Sequence, residues 1–210
     1  MSLANHEKAR IALRYWTLGK GMLDVTRALA HAESFHTSVR KDGITPEFSH
    51  QIWICNTLRI LPLNDDDMRL ALLAGLYHDT PEDKDMPFIE LATKYDARVA
   101  RIVELLTKVH RGVKVPADTY FAQMVTDPIA AIVKGVDRLH NLSSMHGVFT
   151  RAKQESYITE TLERHLPMLK KARNLYPEYD AAIENIKQSL LSRITLIQAI
   201  HTAEDAARQS

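Results

Sequence analysis

The sequence predicts an all-α protein. Only seven of its 210 residues are glycine, and the helix-favouring residues Ala, Leu, Lys, Arg and Glu recur throughout the chain. Apolar residues return every three or four positions, which is the period of an amphipathic helix, and we find no alternating run that indicates a strand. With 45% hydrophobic residues, the chain can build a sizeable core, so we expect a helical bundle.

The first half of the chain divides into four predicted helices. The segment RKDGITPEF, residues 40–48, separates the second from the third, because Asp42-Gly43 and Pro46 favour turns. Carboxylates suit the first turn of a helix, so the acidic run at 65–67 is expected to cap the fourth. The predicted helices cover about residues 5–18, 22–37, 46–61 and 65–77, and the last leads directly into His78.

Six further helices are predicted in the second half, and the segment IAAIVKGVDRLHNL, residues 129–142, is the most informative. It follows Asp127-Pro128 and is apolar on nearly every side, so we expect a central helix. We expect a core domain at 1–150 and a C-terminal helical extension at 151–210 packed on it. The predicted helices are 87–95, 97–109, one after Pro116, the segment just described, 151–174 and 177–207.

Composition and charge exclude several classes of function. The 27 basic residues balance 26 acidic ones, so no overall field attracts nucleic acid or an anionic membrane. No run reaches the roughly 18 apolar residues of a membrane span, and the N-terminal segment MSLANHEKAR does not look like a signal peptide. The single cysteine, Cys55, fits a reducing compartment, which predicts a cytoplasmic protein without nucleic-acid or membrane partners.

Two imidazoles and two carboxylates form the strongest candidate site. His50, the adjacent pair His78-Asp79, and Asp137 lie on separate predicted helices. A carboxylate in a helix as apolar as that of Asp137 is costly to bury unless it is paired or bound to a metal. Mixed nitrogen and oxygen ligands suit a divalent cation such as Mn²⁺, Fe²⁺ or Zn²⁺. Such a cation activates water and polarises a phosphoryl oxygen, which predicts phosphoester or pyrophosphate hydrolysis.

The segments around these residues resemble a known family. The order of His50, His78-Asp79 and Asp137 is similar to that of HD-domain metal phosphohydrolases. The flanking residues resemble one branch in particular, the (p)ppGpp hydrolase domain of RelA/SpoT proteins and the stand-alone small alarmone hydrolases. The resemblance covers about residues 22–145 and rests on RKDGITPEFSH (40–50), ALLAGLYHDTPED (71–83), VARIVELLTKV (99–109) and VKGVDRLHNL (133–142).

The resemblance implies an all-α HD fold and a role for each matching residue. It implies one manganese ion, with Glu82 and Asp83 catalytic and a nucleotide as substrate. Two close carboxylates cannot both ionise freely, so one of the pair can hold a proton while the other accepts one. Lys134 and Arg138 could orient the carboxylates near the metal. The implied metal ligands are His50, His78, Asp79 and Asp137, and the implied substrate contacts are Arg40, Lys41, Asn141 and Ser144.

The resemblance leaves the substrate open. The family commonly has an aromatic residue and isoleucine before the first metal histidine and proline after it, whereas Glu47-Phe48-Ser49 precede His50 here and Gln51 follows. Removal of the 3′-diphosphate of ppGpp, or of a similar nucleotide, is the leading hypothesis. The alternatives are nucleoside 5′-monophosphates, dNTPs or 2′- or 3′-phosphorylated cofactors as substrates, and a non-catalytic nucleotide-binding or interaction module.

Some histidines and the last helix carry further expectations. We expect His110, His165 and His201 at the surface. The apolar residues of the last helix recur every three or four positions, which suits either core packing or the seam of a homo-oligomer. They are Ile183, Ile186, Leu190, Leu191, Ile194 and Ile197.

Overall fold

Helices form most of the chain, and the all-α prediction is confirmed. The computed structural model describes residues 3–209. A π-helical segment, Thr161–His165, joins two of the helices, and a 3₁₀ turn, Pro177–Tyr179, precedes the last. The helices are α1 (Leu3–Gly19), α2 (Leu23–Glu33), α3 (Ser49–Leu58), α4 (Asp65–Tyr77), α5 (Thr80–Lys84), α6 (Phe88–Lys94), α7 (Ala97–Leu106), α8 (Ala117–Met124), α9 (Pro128–Ser144), α10 (Arg151–Glu160), α11 (Leu166–Leu175) and α12 (Asp180–Gln209).

A small hairpin follows α7, and the prediction that there is no strand was wrong here. Strand β1 (Val109–His110) pairs antiparallel with β2 (Val113–Lys114). Arg111 and Gly112 form the turn with φ of 50° and 77°, the left-handed conformation that two-residue hairpin turns require. Strands of two residues are too short to show an alternating pattern in the sequence.

The beginnings of α4 and α9 fix the helices that carry the candidate site. Asn64, rather than the acidic run at 65–67, caps α4, because its side-chain oxygen accepts the backbone N–H of Asp67 at 2.9 Å. Asp127 caps α9 by accepting the N–H groups of residues 129 and 130. Pro128 then starts α9, where a proline costs no helical hydrogen bond.

Helix α9 lies at the centre of the bundle, as predicted, and packs against α3, α4, α7, α11 and α12. Gly135 allows α12 to approach closely, since a Cβ atom there would lie 2.8 Å from Cγ2 of Ile186. The apolar face of α12 is thus buried within this chain, and each buried side chain contributes about 1.5–3 kcal/mol. Its buried members are Ile183, Ile186, Leu190, Ile194 and Ile197.

Two of the histidines expected at the surface are buried. His165 is inaccessible and His201 is 5% exposed. His201 shares a hydrogen bond of 2.9 Å with the amide oxygen of Gln154, and His165 accepts one from Arg138. These partners are far apart along the chain, so the sequence pattern gave no sign that the imidazoles would be satisfied inside. His110, the third, is half-buried against Phe88.

None of the helices formed by residues 3–209 combines the length and apolar character needed to cross a bilayer.

Candidate active site

Three helices bring two imidazoles and a carboxylate together in the core of the bundle. His50 is the second residue of α3, His78 is the C-cap residue of α4, and Asp137 lies in the middle of α9. Nε2 of His50 is 3.2 Å from Nε2 of His78 and 3.2 Å from Oδ1 of Asp137. Nε2 of His78 is 3.8 Å from the same oxygen. All three residues are at most 5% exposed, so they form a compact, buried donor cluster.

Asp79 completes the cluster on its open side. It is the N-cap residue of α5, and its Oδ2 lies 2.8 Å from Nε2 of His78 and 3.6 Å from Nε2 of His50. Its side chain is 38% exposed. Because α4 ends at Tyr77 and α5 begins at Thr80, His78 and Asp79 form the junction between the two helices. Both side chains lie close to Nε2 of His50.

The spacing of these atoms fits a single divalent cation. Two ligand atoms about 2.1 Å from a cation lie about 3.0 Å apart at a right angle and about 3.4 Å apart at the tetrahedral angle. The observed separations of 2.8 to 3.8 Å span this range. His50, His78 and Asp137 form a group of potential ligands whose donor atoms lie within 4.8 Å of one another. Asp79, Glu82 and Asp83 lie outside this group of three.

The second nitrogen of each imidazole also has a partner. Nδ1 of His78 lies 2.9 Å from the carbonyl oxygen of Gly75, to which it can only donate. In the neutral ring, its Nε2 therefore carries the lone pair that a cation needs. Nδ1 of His50 lies 2.7 Å from Nδ1 of His140. Partners of this kind orient metal-binding histidines, and the sequence had given His140 no role.

The buried carboxylate of Asp137 is held by its own helix. Lys134 Nζ donates to Oδ2 at 2.9 Å and Asn141 Nδ2 donates to Oδ1 at 2.9 Å. Burial opposes ionisation, but Lys134 and His50 outweigh it and hold the pKa of Asp137 well below its usual range. Lys134 thus contacts a carboxylate of the cluster, as the sequence had suggested. Arg138 does not; it reaches Glu160 and His165 instead.

The site attracts positive charge even without a cation. Burial favours a neutral His78, but Asp79 and Asp137 outweigh it and raise the pKa of His78 to about 9. In the metal-free protein, this group therefore stabilises the fold fully below pH 6.5, and the contribution is lost as the pH rises from 6.5 to about 9.

Cation binding should therefore release a proton from His78. A bound cation needs the Nε2 lone pair, so we expect release of about one proton per cation at pH 7.5 and an affinity that increases as the pH rises toward 9. Calorimetric titration with Mn²⁺ in buffers of different ionisation enthalpy measures this number directly. A binding enthalpy that is the same in all buffers would contradict the prediction.

Glu82 and Asp83 lie beside the cluster, on α5. Oε2 of Glu82 accepts the backbone N–H groups of Lys108 at 3.0 Å and Val109 at 3.3 Å, which ties α5 to β1. Burial raises the pKa of Asp83, and the carboxylates of Asp79 and Glu82 raise it further. The two carboxylates therefore differ: Glu82 is fixed by backbone donors, and Asp83 keeps a proton more readily than an ordinary aspartate.

A cavity of about 860 Å³ opens over the cluster, within the size range of ligand pockets. Arg40, Lys41, Asn141 and Ser144 all line it. No hydrogen bond or ion pair engages the guanidinium of Arg40 among the residues that the structure describes. Lys41 Nζ lies 5.1 Å from the ring centre of Phe149. Both cations are thus available at the cavity wall.

Asn141 and Ser144 have partners within the protein. Asn141 donates to the Asp137 carboxylate, and Ser144 Oγ donates to the carbonyl oxygen of His140 in the same helix at 3.0 Å. Their contacts with a nucleotide stay a prediction.

The far wall of the cavity comes from α10 and the π-helical segment, which the sequence did not connect with the site. Arg138 forms an ion pair with Glu160, and its Nε donates to Nε2 of His165 at 3.1 Å. Its guanidinium also lies over the ring of Tyr157. Nη1 of Arg138 is buried and has no hydrogen-bond partner among residues 3–209. No local motif marks these residues, because they are distant from α9 in the sequence and contact it only in the folded protein.

Comparison with known proteins assigns the family. The sequence pattern of the HD domain matches residues 28–172, a range that includes the whole cluster and its cavity. The chain belongs to the HD-domain family. The family match extends beyond residue 150 into α11, and the predicted division into 1–150 and 151–210 stays a prediction.

Relatives of this HD domain carry two kinds of name. The GTP pyrophosphokinase of Streptomyces coelicolor is 30% identical over 150 residues, which are 69% of this chain and 17% of the relative. The guanosine-3′,5′-bis(diphosphate) 3′-pyrophosphohydrolases of Aquifex aeolicus and Borreliella burgdorferi are 27% and 26% identical, over 69% of this chain and 21% and 22% of theirs. The chain thus spans about a fifth of the length of these relatives. The HD domain and the hydrolase relatives support a metal-dependent phosphohydrolase.

Proposed function

We propose that this HD domain is a Mn²⁺-dependent hydrolase that removes the 3′-diphosphate of ppGpp or a closely related nucleotide. The convergence of His50, His78, Asp79 and Asp137 beside a cavity that both basic and acidic side chains line carries the proposal. The 3′-pyrophosphohydrolase names of relatives that match 69% of the chain support this substrate.

The basic and aromatic side chains of the cavity suit a phosphorylated nucleotide. Arg40, Lys41, Lys108 and Lys153 line it together with the aromatic rings of Tyr120 and Tyr157. Arginine can stack its guanidinium plane on a purine while donating hydrogen bonds, and lysine offers a point charge to phosphate oxygens. We assign Arg40 and Lys41 to the nucleotide, with Asn141 and Ser144 near its sugar.

The proton transfers fall to the residues beside the cluster. A bound cation would polarise the phosphoryl group and lower the pKa of a water molecule. Glu82 is oriented by two backbone donors and takes the proton of the attacking water in this proposal. Asp83 retains a proton more readily than an ordinary aspartate and supplies it to the leaving 3′-oxygen. This assigns an order that the sequence had left open.

Product analysis with several substrates tests the proposal. Purified protein is incubated with ppGpp, GTP, dNTPs, nucleoside 5′-monophosphates and a 2′-phosphorylated cofactor, with Mn²⁺ or with chelator. We expect GDP and pyrophosphate from ppGpp only with Mn²⁺. Turnover of dNTPs or monophosphates alone would overturn the substrate and keep the hydrolase. Tight binding of ppGpp without any turnover would instead favour a binding module.

One observation favours a second substrate class. Glu47-Phe48-Ser49 precede His50, where the family commonly has an aromatic residue and isoleucine, and Glu47 lines the cavity. Its carboxylate accepts a hydrogen bond from Ser38 at 2.5 Å and lies 3.5 Å from Lys84. A carboxylate at this wall changes what can pack beside the first metal histidine. The alternative is a phosphorylated nucleotide or cofactor other than ppGpp.

A further inference from the structure

The contact between His50 and His140 is unusual because it joins like atoms of two rings. The two Nδ1 atoms are 2.7 Å apart, so one of them must carry a proton and the other a lone pair. His140 is 7% exposed. The centre of its ring lies 4.8 Å from the ring centre of Trp53 and 4.6 Å from the ring centre of His50. The arrangement therefore holds both rings in place.

The cation site decides where the proton lies. Nε2 of His50 faces Nε2 of His78 and Oδ1 of Asp137, so this nitrogen must offer its lone pair when a cation is bound. A neutral imidazole then carries its proton on Nδ1. His50 Nδ1–H accordingly donates to His140, whose Nδ1 accepts. The proton of a neutral His140 must therefore sit on its Nε2.

The other nitrogen of His140 is available to a ligand. His140 lines the cavity together with Arg40 and Asn141. Its Nδ1 is occupied by His50, and its Nε2 makes no hydrogen bond to any residue in the range 3–209. An Nε2–H group in this position is a neutral donor at the cavity wall. His140 is adjacent to Asn141 in sequence, and the ring of His50 lies between His140 and the cation site.

We propose that His140 links the cation site to the substrate. Its Nδ1 holds the tautomer of His50 that presents Nε2 to the cation, which makes His140 a positioning residue for the metal. Its Nε2–H donates to an oxygen of the bound nucleotide, on the sugar or the 3′-phosphate. The metal-related half stands on the geometry of the cluster alone, whereas the substrate-related half rests on the proposed function.

Two substitutions of His140 separate the metal-related role from the substrate-related role, because each places a polar group at only one of the two nitrogen positions of the imidazole. His140→Asn places an amide oxygen near the Nδ1 position and can still accept from His50, but it offers nothing at the Nε2 position. His140→Gln reaches the Nε2 position with an amide donor and loses the acceptor for His50. His201→Gln replaces another buried histidine that shares one side-chain hydrogen bond and serves as the control for general loss of stability.

Metal affinity is measured by calorimetric titration of the full chain with Mn²⁺. KM for ppGpp is measured from the rate of hydrolysis at saturating Mn²⁺. Loss of a partner that orients a metal ligand typically weakens metal affinity 10- to 100-fold. We expect such a loss in His140→Gln and an affinity within about threefold of the unsubstituted chain in His140→Asn and His201→Gln. We expect KM to rise about tenfold in His140→Asn, the fold-change for one lost hydrogen bond to substrate, and to change little in His140→Gln.

Each result acts on one half of the proposal. Unchanged Mn²⁺ affinity in His140→Gln would overturn the positioning role, whatever the substrate is. Unchanged KM in His140→Asn would overturn the contact with the nucleotide. Should a variant unfold in the absence of metal, ¹⁵N spectra of the ring nitrogens in the unsubstituted protein with Zn²⁺ decide. A proton on Nε2 of His140 supports the proposal, and a proton on its Nδ1 overturns it.

If ppGpp is not a substrate at all, the titrations with Mn²⁺ still test the positioning role. Failure of the proposed function is therefore distinguishable from failure of this inference.

Discussion

Asp79→Ala should abolish hydrolysis while the protein stays folded. The Asp79 carboxylate lies 2.8 Å from Nε2 of His78 on the open side of the cluster, and its side chain is 38% exposed, so its removal leaves no cavity in the core. A metal ion supplies several kcal/mol of transition-state stabilisation. We therefore expect kcat/KM for the metal-dependent reaction to fall at least about 1000-fold, the equivalent of about 4 kcal/mol.

The same substitution should weaken Mn²⁺ binding, which titration calorimetry measures. Asp66→Ala is the matched control. It removes an exposed carboxylate from the first turn of α4, so it changes the net charge equally without touching the site. We expect the control to keep full activity and full metal affinity. An Asp79→Ala variant that binds Mn²⁺ as tightly as the unsubstituted chain would remove Asp79 from the ligand set.

Glu82→Gln should have the second-largest effect and a different signature. Proton transfer by a positioned side chain contributes about 10² to 10⁴ in rate, and we expect kcat to fall within that range. The glutamine oxygen can still accept the N–H groups of Lys108 and Val109, which hold the carboxylate in place. The fold and the Mn²⁺ affinity should therefore be retained.

Kinetics and titration together test this separation of roles. Glu104→Gln, at an exposed position on α7 where the glutamate forms an ion pair with Arg101, is the control and should leave kcat unchanged. If Glu82→Gln lost the metal, Glu82 would have to be a ligand rather than a proton acceptor. A kcat close to that of the unsubstituted chain would also exclude it as the base.

Residue types and spacing were sufficient to predict most of the helices, though not α5, and the convergence of His50, His78 and Asp137. The helical period of the chain and the caps Asp127-Pro128 fix α9 locally. A carboxylate in so apolar a helix indicated a buried, compensated charge, and Lys134, three residues earlier in the same helix, provides that compensation. Features that depend on one helix and its neighbours in sequence could therefore be predicted.

The orienting partners could not be predicted in the same way. His140 contacts His50, which lies 90 positions earlier in the sequence. Arg138 contacts Glu160, at the end of α10, and His165, at the end of a π-helical segment that no residue pattern predicted. The same limit explains why His165 and His201 were expected at the surface. A histidine's burial depends on whether a distant residue can satisfy its nitrogens, and a single sequence does not show which one does.

The packing of the C-terminal helix α12 decides between the two interpretations of its apolar pattern. The apolar face of α12 was compatible with a core or with an oligomer seam, and Gly135 lets that face pack on α9 within one chain. A homo-oligomer through the C-terminal helices stays a prediction.

A stoichiometric metal titration tests the central claim most directly. Protein stripped of metal by chelation and then freed of chelator receives Mn²⁺ in increments, and pyrophosphate release from ppGpp is measured at each step. One cation held by His50, His78, Asp79 and Asp137 predicts no release at the start, a linear rise, and a plateau at about one equivalent. Full activity in the stripped protein, or a rise that is unchanged in Asp79→Ala, would contradict the account.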